Sequence, residues 1–189
     1  MRLLRKFYKR PTLNIAKELL GKYLIRKIGN KKLVGKIVET EAYIGPKDKA
    51  AHSFGGKITK RTKTEYLIGG HIYIYLVYGM YWQLNIVTQT AEKPECVLIR
   101  ALEPVFQDKI LNTKLANGPG KLCQWLKFNK SFDGEDLTRS KRIWLEKGEK
   151  IKKSQIICAK RIGIDYAGPY WSKKHWRFYI KDNLFVSKK

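Results

Sequence analysis

The spacing of apolar and polar residues predicts a chain made mostly of β-strands. Residues 22–28 and 33–43 flank a Gly-Asn pair and are typical of a β-hairpin. Residues 71–87 contain two aromatic-rich segments around a turn at residues 78–81, which predicts a second hairpin. Strands that follow one another through such short turns pair in antiparallel fashion.

Residues 96–102 predict another strand, which Pro104 should end because proline cannot donate to a strand ladder. The later segments RIWLE and RFYIKD are compatible with further strands. The predicted sheet is therefore large, and most of its connections are short.

Two short helices are also predicted. Thr12 is a candidate N-cap for a helix over residues 13–20 that stops at Gly21, and its apolar stripe consists of Ile15, Ala16, Leu19 and Leu20. The segment NGPGKLCQWL has Pro119 in the first turn of a second helix, with inward-facing Leu122, Trp125 and Leu126.

These elements predict an α+β fold with a mostly antiparallel curved β-sheet, flanking short helices and a protruding β-hairpin. At 189 residues, of which 43% are apolar, the chain suits a single domain over residues 1–189. The sequence contains no repeat, low-complexity segment or linker that would divide it.

The charge balance indicates a polyanionic partner. The chain has 40 Lys and Arg against 16 Asp and Glu, a formal net charge of +24, and the phosphate backbone of a nucleic acid is the natural partner for such a surplus. A lysine-rich proteome is the alternative, but such proteomes usually enrich glutamate as well.

Cysteine usage and hydropathy exclude several other classes. Cys96, Cys123 and Cys158 lie far apart and form no C-x-x-C pair, which argues against a zinc site, an iron–sulfur cluster or a disulfide framework. No apolar run is long enough to cross a membrane, and the first residues lack the apolar centre of a signal peptide. We expect a cytoplasmic protein without metal or cofactor.

The stretch VETEAYIGPKDKAAHS, residues 38–53, contains the most unusual chemistry for so basic a chain. The two-residue period of a strand places Glu39, Glu41 and Tyr43 on one face, and the turn at Gly45-Pro46 could bring His52 back beside the strand end. A solvent-exposed strand edge that pairs with lysines, together with a structural histidine, is the competing interpretation.

The tyrosines of residues 71–87 also allow two interpretations. Tyr73 and Tyr75 share one strand face, whereas Tyr78 has the opposite parity and immediately precedes Gly79. Tyrosines on a concave face can stack on a nucleobase, and a tyrosine at a protruding turn can wedge into a duplex. Ordinary aromatic packing in a β core is the alternative.

In these motifs the chain resembles the alkyladenine DNA glycosylases, also called methylpurine or 3-methyladenine DNA glycosylases. The resemblance covers nearly the whole chain and rests on an ordered set of segments: LLGKYLIRK, GKIVETEAYIGPKDKAAHS, YIYLVYGMYWQLN, CVLIRALEP, NGPGKLCQWL and RFYI. It implies a monofunctional enzyme that flips a damaged purine out of duplex DNA and hydrolyses the bond between base and sugar.

The resemblance also implies the catalytic residues. Glu41 would be the general base that activates water, and Arg100 would help to hold that water and the adjacent phosphate. Cleavage of an N-glycosidic bond passes through an oxocarbenium-like sugar, so one carboxylate near the anomeric carbon can both take a proton and stabilise positive charge. The proton donor for a neutral leaving base is not identified, and both His52 and a water molecule are candidates.

The remaining roles that the resemblance implies concern the base and the DNA. Tyr43 would stack on one face of the extruded base, His52 and Tyr75 on the other, and Asn85 would stand at the pocket floor. Tyr78 would intercalate through the minor groove. Candidates for contact with the DNA backbone are Met80, Tyr81 and Lys121; the segment that contains Lys121 could equally be a plain helix cap.

The expected partner is double-stranded DNA that contains damaged purines, namely 3-methyladenine, 7-methylguanine, hypoxanthine or ethenoadenine, and the protein is expected to act as a monomer. Three other classes stay open: a non-catalytic nucleic-acid-binding domain, an RNA-binding or RNA-modifying protein, and a lyase that uses one of the lysines.

Overall fold

An antiparallel sheet organises the fold of the computed structural model, which describes residues 1–106, 109–110 and 114–189. In these ranges nine strands are present: β1 Tyr23–Ile28, β2 Lys31–Tyr43, β3 Ile72–Val77, β4 Tyr81–Thr88, β5 Glu95–Phe106, β6 Lys109–Ile110, β7 Ile143–Glu146, β8 Ile156–Ala159 and β9 Arg177–Ile180. The α-helices are short: α1 Arg5–Tyr8, α2 Thr12–Glu18, α3 Pro119–Trp125 and α4 Pro169–Ser172.

The main path of the sheet runs β3-β4-β5-β2-β1-β7, while β6 pairs with β5 and β9 pairs with β2 and β8. All of these pairs are antiparallel. The predicted α+β class, with a curved and mostly antiparallel sheet and few short helices, is confirmed.

Strand β2 changes its neighbour half-way along its length. Its first half pairs with β1, and the residues from Glu39 to Glu41 pair with β9 instead. Register shifts against β5 lie on both sides of Glu39, and such irregularities bend a strand and redirect its side chains. The bend lies where the sequence places its acidic residues.

The core lies between the sheet and helices α2 and α3. Amphipathic patterns supply its members, because each helix turns one apolar stripe toward the sheet. Fully buried residues from these elements include Ile15, Leu19, Ile37, Ile72, Ile99 and Leu122. Both predicted hairpins and both predicted helices are present, with bounds shifted by one or two residues.

The prediction that Pro104 ends its strand is wrong, because β5 continues to Phe106. Pro104 pairs with Gly35 of β2, and on the other side of β5 the pairing with β4 has already stopped at Leu98. A proline is tolerated in a strand where its ring nitrogen does not have to donate to the neighbouring strand, and the pairing with β2 continues past Pro104 to Val105.

The capping prediction for Thr12 is also wrong. Pro11 is the N-cap of α2, and Thr12 is its first residue. The Thr12 hydroxyl lies 2.6 Å from the Thr88 hydroxyl and also contacts the Glu95 carboxylate, so it joins α2 to the sheet. Among the described helices, none has the length and apolar character needed to cross a membrane.

Candidate active site

A cavity of about 420 Å³ opens between strands β3 to β5 and the loops near residues 50–66 and 162–166. Six of the ten residues to which the resemblance gives a role line this cavity: Tyr43, His52, Tyr75, Tyr78, Asn85 and Arg100. Glu41 does not belong to the lining, and Met80, Tyr81 and Lys121 lie outside it. The sheet therefore brings together residues that are widely separated in the chain.

The Glu41 carboxylate lies immediately behind the cavity wall. It is fully buried, its Oε1 accepts a hydrogen bond from the Ile162 N–H at 2.9 Å, and its Oε2 accepts one from the Tyr43 hydroxyl at 2.9 Å. Arg100 Nη1 lies 3.3 Å from Oε1. All three partners line the cavity, so the carboxylate lies directly behind residues that face it.

Glu39 forms a second buried carboxylate beside Glu41. Its Oε1 lies 3.2 Å from Arg100 Nε and 2.9 Å from Arg177 Nη1, and its Oε2 accepts a hydrogen bond from the Ser187 N–H at 2.7 Å. We call Glu39, Glu41, Arg100 and Arg177 the carboxylate cluster. Because both acids are fully buried, the alternative of a solvent-exposed strand edge is wrong.

Arg100 joins the two acids of the carboxylate cluster. Burial alone would lower the pKa of its guanidinium, but the nearby carboxylates of Glu41 and Glu39 more than compensate, and the pKa of Arg100 is raised. Arg100 thus stays cationic at the cavity wall. Its position on β5 follows from the register in which Glu41 of β2 pairs with Leu98.

Tyr43 forms one wall of the cavity and rests on a buried arginine. The Arg161 guanidinium lies 4.8 Å from the centroid of the Tyr43 ring, and its Nη2 donates to Asp48 Oδ1 at 2.9 Å. Burial and the neighbouring Glu41 charge raise the pKa of Tyr43 well above its ordinary value. The phenol therefore keeps the proton that it donates to Glu41.

His52, Tyr73 and Tyr75 form a second group of rings in the lining of the cavity. The His52 and Tyr75 rings meet edge to face with centroids 4.4 Å apart, and His52 Nδ1 lies 2.7 Å from the Tyr73 hydroxyl. Burial, aided by the charge of Arg61, lowers the pKa of His52 to about 4. The imidazole is neutral at pH 7, so it carries no extra proton ready for a leaving group.

Asn85 lines the cavity, and hydrogen bonds fix the orientation of its side chain. Its side-chain Nδ2 donates to the backbone oxygens of Tyr73 at 3.3 Å and Gln83 at 3.2 Å, and its Oδ1 accepts from the Cys96 thiol at 3.8 Å. With these partners, the amide is held rigidly.

Tyr78 stands at the hairpin tip, residues 78–80, between β3 and β4, and is 87% exposed. Tyr78 and Gly79 have φ values of 52° and 68°, and the Met80 N–H donates to the Val77 oxygen at 3.1 Å. Two successive positive φ angles are the signature of the turn that two-residue hairpin loops favour, but a tyrosine in this conformation is strained by about 1–2 kcal/mol.

The backbone-contact candidates lie beside this hairpin. Met80 is 64% exposed and Tyr81 40% exposed. A Cβ atom at Gly120 would come within 2.9 Å of the Tyr81 ring, so the start of α3 packs closely against β4 and requires glycine there. Lys121 follows on the exposed surface, where its Nζ donates to Asn117 Oδ1 at 3.1 Å.

The sequence analysis did not identify several residues that line the cavity: Arg61, Glu65, Ile162, Gly163, Ile164 and Tyr166. The sequence analysis also did not identify Arg161, which contacts the Tyr43 ring, or Arg177, which pairs with Glu39. Only Glu65 carries a sequence signal, because it is the single acidic residue in the basic stretch 57–66. Burial raises the pKa of Glu65 to about 7, although hydrogen bonding by Ser53 and Tyr73 and the charge of Arg61 act in the opposite direction.

Within the part of the chain that the structure describes, no group of three or more His, Cys, Asp or Glu side chains is arranged to hold a metal ion. Cys96, Cys123 and Cys158 are free thiols. The lining of the cavity offers one carboxyl, two guanidiniums, an imidazole, two side-chain amides, a thiol and several tyrosine rings.

Comparisons with known proteins find similar sequences over nearly the whole chain. The sequence model of the family described as Methylpurine-DNA glycosylase (MPG) matches residues 6–184. A protein of Natranaerobius thermophilus that is predicted to be a 3-methyladenine DNA glycosylase is 44% identical over 197 residues, which cover 99% of this chain and 99% of that protein. Relatives with the same predicted activity occur in Borreliella burgdorferi, 46% identical over 187 residues with 98% and 99% coverage, and in Clostridium perfringens, 47% identical over 206 residues with both chains fully covered.

Proposed function

The chain belongs to the methylpurine-DNA glycosylase family and is a hydrolase that acts on N-glycosyl bonds, and from this premise we propose that it flips alkylated or deaminated purines out of duplex DNA into the cavity. The substrates would be 3-methyladenine, 7-methylguanine, hypoxanthine and ethenoadenine. The product would be an abasic site in an unbroken strand, the first intermediate of base-excision repair.

The observation that carries this proposal is the position of Glu41. Its carboxylate is buried, yet each of its three partners lines a cavity of about 420 Å³, which falls in the usual range for sites that enclose a small planar ligand. In the proposed reaction Glu41 takes a proton from the attacking water and stabilises the positive charge that develops at C1′. Arg100 holds that water and the neighbouring phosphate.

The aromatic rings in the lining suit a flat ligand. Tyr43 would cover one face of the extruded base, and His52 with Tyr75 would cover the other, so that stacking lost in the duplex is regained in the protein. Asn85 would oppose the exocyclic amine of guanine at the floor. Its amide cannot turn away without losing its two backbone acceptors, which supports a steric role.

Tyr78 would fill the gap that the extruded nucleotide leaves in the base stack. Its strong exposure and its strained backbone support this role, because strain in a conformation that asparagine or glycine would adopt more easily is typical of functional turns. Extrusion costs a few kcal/mol of pairing and stacking, and an inserted ring offsets part of that cost.

Contacts with phosphates would supply affinity for duplex DNA of any base sequence. Met80, Tyr81 and Lys121 lie beside the hairpin tip, where the backbone of a bound duplex would pass, and the net charge of +24 strengthens the attraction along the whole molecule. One such molecule suffices for one nucleotide, so we propose that the protein acts as a monomer on chromosomal DNA in the cytoplasm.

The test is a set of matched oligonucleotides: undamaged duplex DNA, duplex DNA with hypoxanthine, ethenoadenine or 3-methyladenine, and RNA of the same sequence. Hot alkali after incubation cuts the strand wherever a base has been released. We expect alkali-dependent cleavage of the damaged duplexes alone. Binding without release would indicate a non-catalytic domain, cleavage before alkali a lyase, and preference for RNA an RNA-modifying protein; each would reject the proposal.

A further inference from the structure

The cavity contains a second carboxyl group that the proposed mechanism does not use. Glu65 lies in the one-turn helix Lys63–Tyr66 and is only 2% exposed, yet it lines the cavity beside Asn85 and Cys96. The turn is held in place, since the Glu65 N–H donates to the Thr62 oxygen at 2.8 Å and the Thr64 hydroxyl donates to Asp133 Oδ2 at 3.1 Å.

The hydroxyl groups that face Glu65 are already engaged. Ser53 donates its hydroxyl proton to the Pro94 oxygen at 3.0 Å, and the Tyr73 hydroxyl lies 2.7 Å from His52 Nδ1. Burial favours the neutral acid and raises the pKa of Glu65 to about 7, although hydrogen bonding by Ser53 and Tyr73 and the charge of Arg61 favour the carboxylate.

Two other polar groups of the cavity lining have partners within the protein. Asn85 directs both hydrogens of its amide to backbone oxygens, and the Cys96 thiol donates to the Asn85 oxygen. A carboxyl group has two oxygens and several lone pairs, which is more capacity than Ser53 and Tyr73 use. Glu65 can thus bind a ligand without giving up its contacts.

We propose that Glu65 contacts the extruded purine and discriminates between neutral and cationic bases. The inference rests on the proposed function, in that a purine must enter this cavity. The protonated carboxyl donates a hydrogen bond to a ring nitrogen or carbonyl oxygen of a neutral base such as hypoxanthine. The ionised carboxylate has no proton to donate, but it attracts a base such as 3-methyladenine, whose ring is cationic in DNA.

The direction of the pH effect follows. Below pH 7 most molecules present the acid, which favours neutral bases; above pH 7 most present the carboxylate, which favours cationic ones. The groups that face Glu65 from other elements do not titrate between pH 6 and pH 8. Burial lowers the pKa of His52 to about 4 and raises those of Tyr73 and Cys96 above their ordinary values, and it does the same to Tyr66 on the turn of Glu65 itself; Arg61 contributes a nearby positive charge.

The experiment measures single-turnover release of hypoxanthine and of 3-methyladenine at pH 6, 7 and 8, after subtraction of spontaneous loss. We expect the ratio of the two rates to fall about tenfold from pH 6 to pH 8 in the wild type, the size of one hydrogen bond to a charged group. In Glu65→Gln, whose amide always donates and never ionises, the ratio should stay near its wild-type value at pH 6.

Two further variants make the experiment decisive. Glu65→Met, which neither donates nor ionises, should lower the release of hypoxanthine most at pH 6, where the wild type presents the acid, and its ratio of rates should not change with pH. It replaces Glu65→Gln if that variant fails to fold. Glu92→Gln removes an exposed acid near the same turn and should keep the wild-type pH dependence.

The proposal is overturned if the wild-type ratio does not change with pH, or if Glu65→Gln keeps the wild-type slope. These outcomes leave the proposed function standing, because both bases are still released. If the wild type releases neither base from duplex DNA, the proposed function fails, and the role of Glu65 fails with it.

Discussion

The carboxylate cluster and the hairpin tip are the two extremes of the candidate site. In the cluster, every charged group is buried and paired with a charge of opposite sign. At the tip, Tyr78 is 87% exposed and is held by the turn alone. Because position in the cluster depends on many partners, a substitution there should affect both folding and chemistry, whereas a substitution at the tip should affect engagement of DNA with the fold intact.

Glu39→Gln should have the largest effect, and it tests whether the carboxylate cluster stabilises the fold. The change leaves Arg100 and Arg177 with one buried carboxylate fewer, and broken buried pairs of this kind cost about 3–5 kcal/mol. We expect the free energy of unfolding in urea to fall by at least about 3 kcal/mol. The matched control is Glu18→Gln, which breaks the exposed pair with Arg10 and should cost less than about 1 kcal/mol. Equal losses in both variants would mean that the cluster does not stabilise the fold.

A substitution of His52 tests whether the side chains that line the cavity are shielded from water. Its pKa is about 4 in the folded protein and 6.5 in an unfolded chain, so the unfolded chain binds more protons between these values and acid destabilises the protein in that window. Part of the His52 side chain is exposed to solvent, which screens the effect, so we expect His52→Gln to lose only about 1–2 kcal/mol less stability than the wild type between pH 7 and pH 4.

Urea denaturation at both pH values measures this difference. Glu65 titrates in the opposite sense over a similar range but is present in both proteins, so its contribution cancels. The exposed His175 provides the control, since His175→Gln should keep the wild-type pH dependence. An identical acid loss in His52→Gln and the wild type would show that His52 is solvated.

Tyr78→Asn separates engagement of DNA from folding at the tip. Asparagine followed by glycine suits a turn with two positive φ angles, so the variant should be as stable as the wild type or up to about 1 kcal/mol more stable. Loss of the ring should nevertheless slow release of hypoxanthine from duplex DNA by about tenfold to a hundredfold, the value of one stacked ring.

Tyr78→Phe keeps the ring and should retain most of the activity, so it controls for changes in the turn. Thermal melting and single-turnover release are measured on the same preparations. Unchanged release of hypoxanthine by Tyr78→Asn would show that insertion of the Tyr78 ring is not part of the mechanism.

Lys121→Gln should give the smallest effect. One phosphate contact contributes about one unit to the slope of log affinity against log salt, so the slope for undamaged duplex should become shallower by about 0.9, while stability and the rate of the chemical step stay unchanged. Lys147→Gln, on the opposite end of the sheet next to β7, is the control. Equal changes of slope in both variants would mean that Lys121 has no special position.

The sequence predicts well the parts of the fold that depend on local pattern. The two hairpins, the helices and the α+β class are confirmed, as is the family resemblance. Period-two spacing alone places Glu41 and Tyr43 side by side, and a hydrogen bond joins them. The errors at Thr12 and Pro104 have one cause. At both positions contacts with distant parts of the chain, and not the local sequence, determine where the helix begins and where the strand ends.

What the sequence does not predict comes from long-range pairing. Arg177 reaches Glu39 because β9 replaces β1 as the neighbour of β2. No pattern of residue spacing in the sequence predicts this change of partner strand. Arg161 supports Tyr43 from a distant loop for the same reason. Glu65 carries a faint signal as a lone acid in a basic stretch, but its buried state depends on packing that only the folded chain defines.

The central claim is that the Glu41 carboxylate carries out the hydrolysis while the rest of the site holds the nucleotide. Glu41→Gln keeps the shape of the side chain and removes its charge, and Glu103→Gln makes the same change at a buried acid that pairs with Lys36 away from the cavity. Single-turnover release of hypoxanthine and affinity for the same duplex are measured for both. We predict a loss of about 10²–10⁴-fold in release with unchanged affinity for Glu41→Gln, and near wild-type release for folded Glu103→Gln; undiminished release by Glu41→Gln would contradict the account.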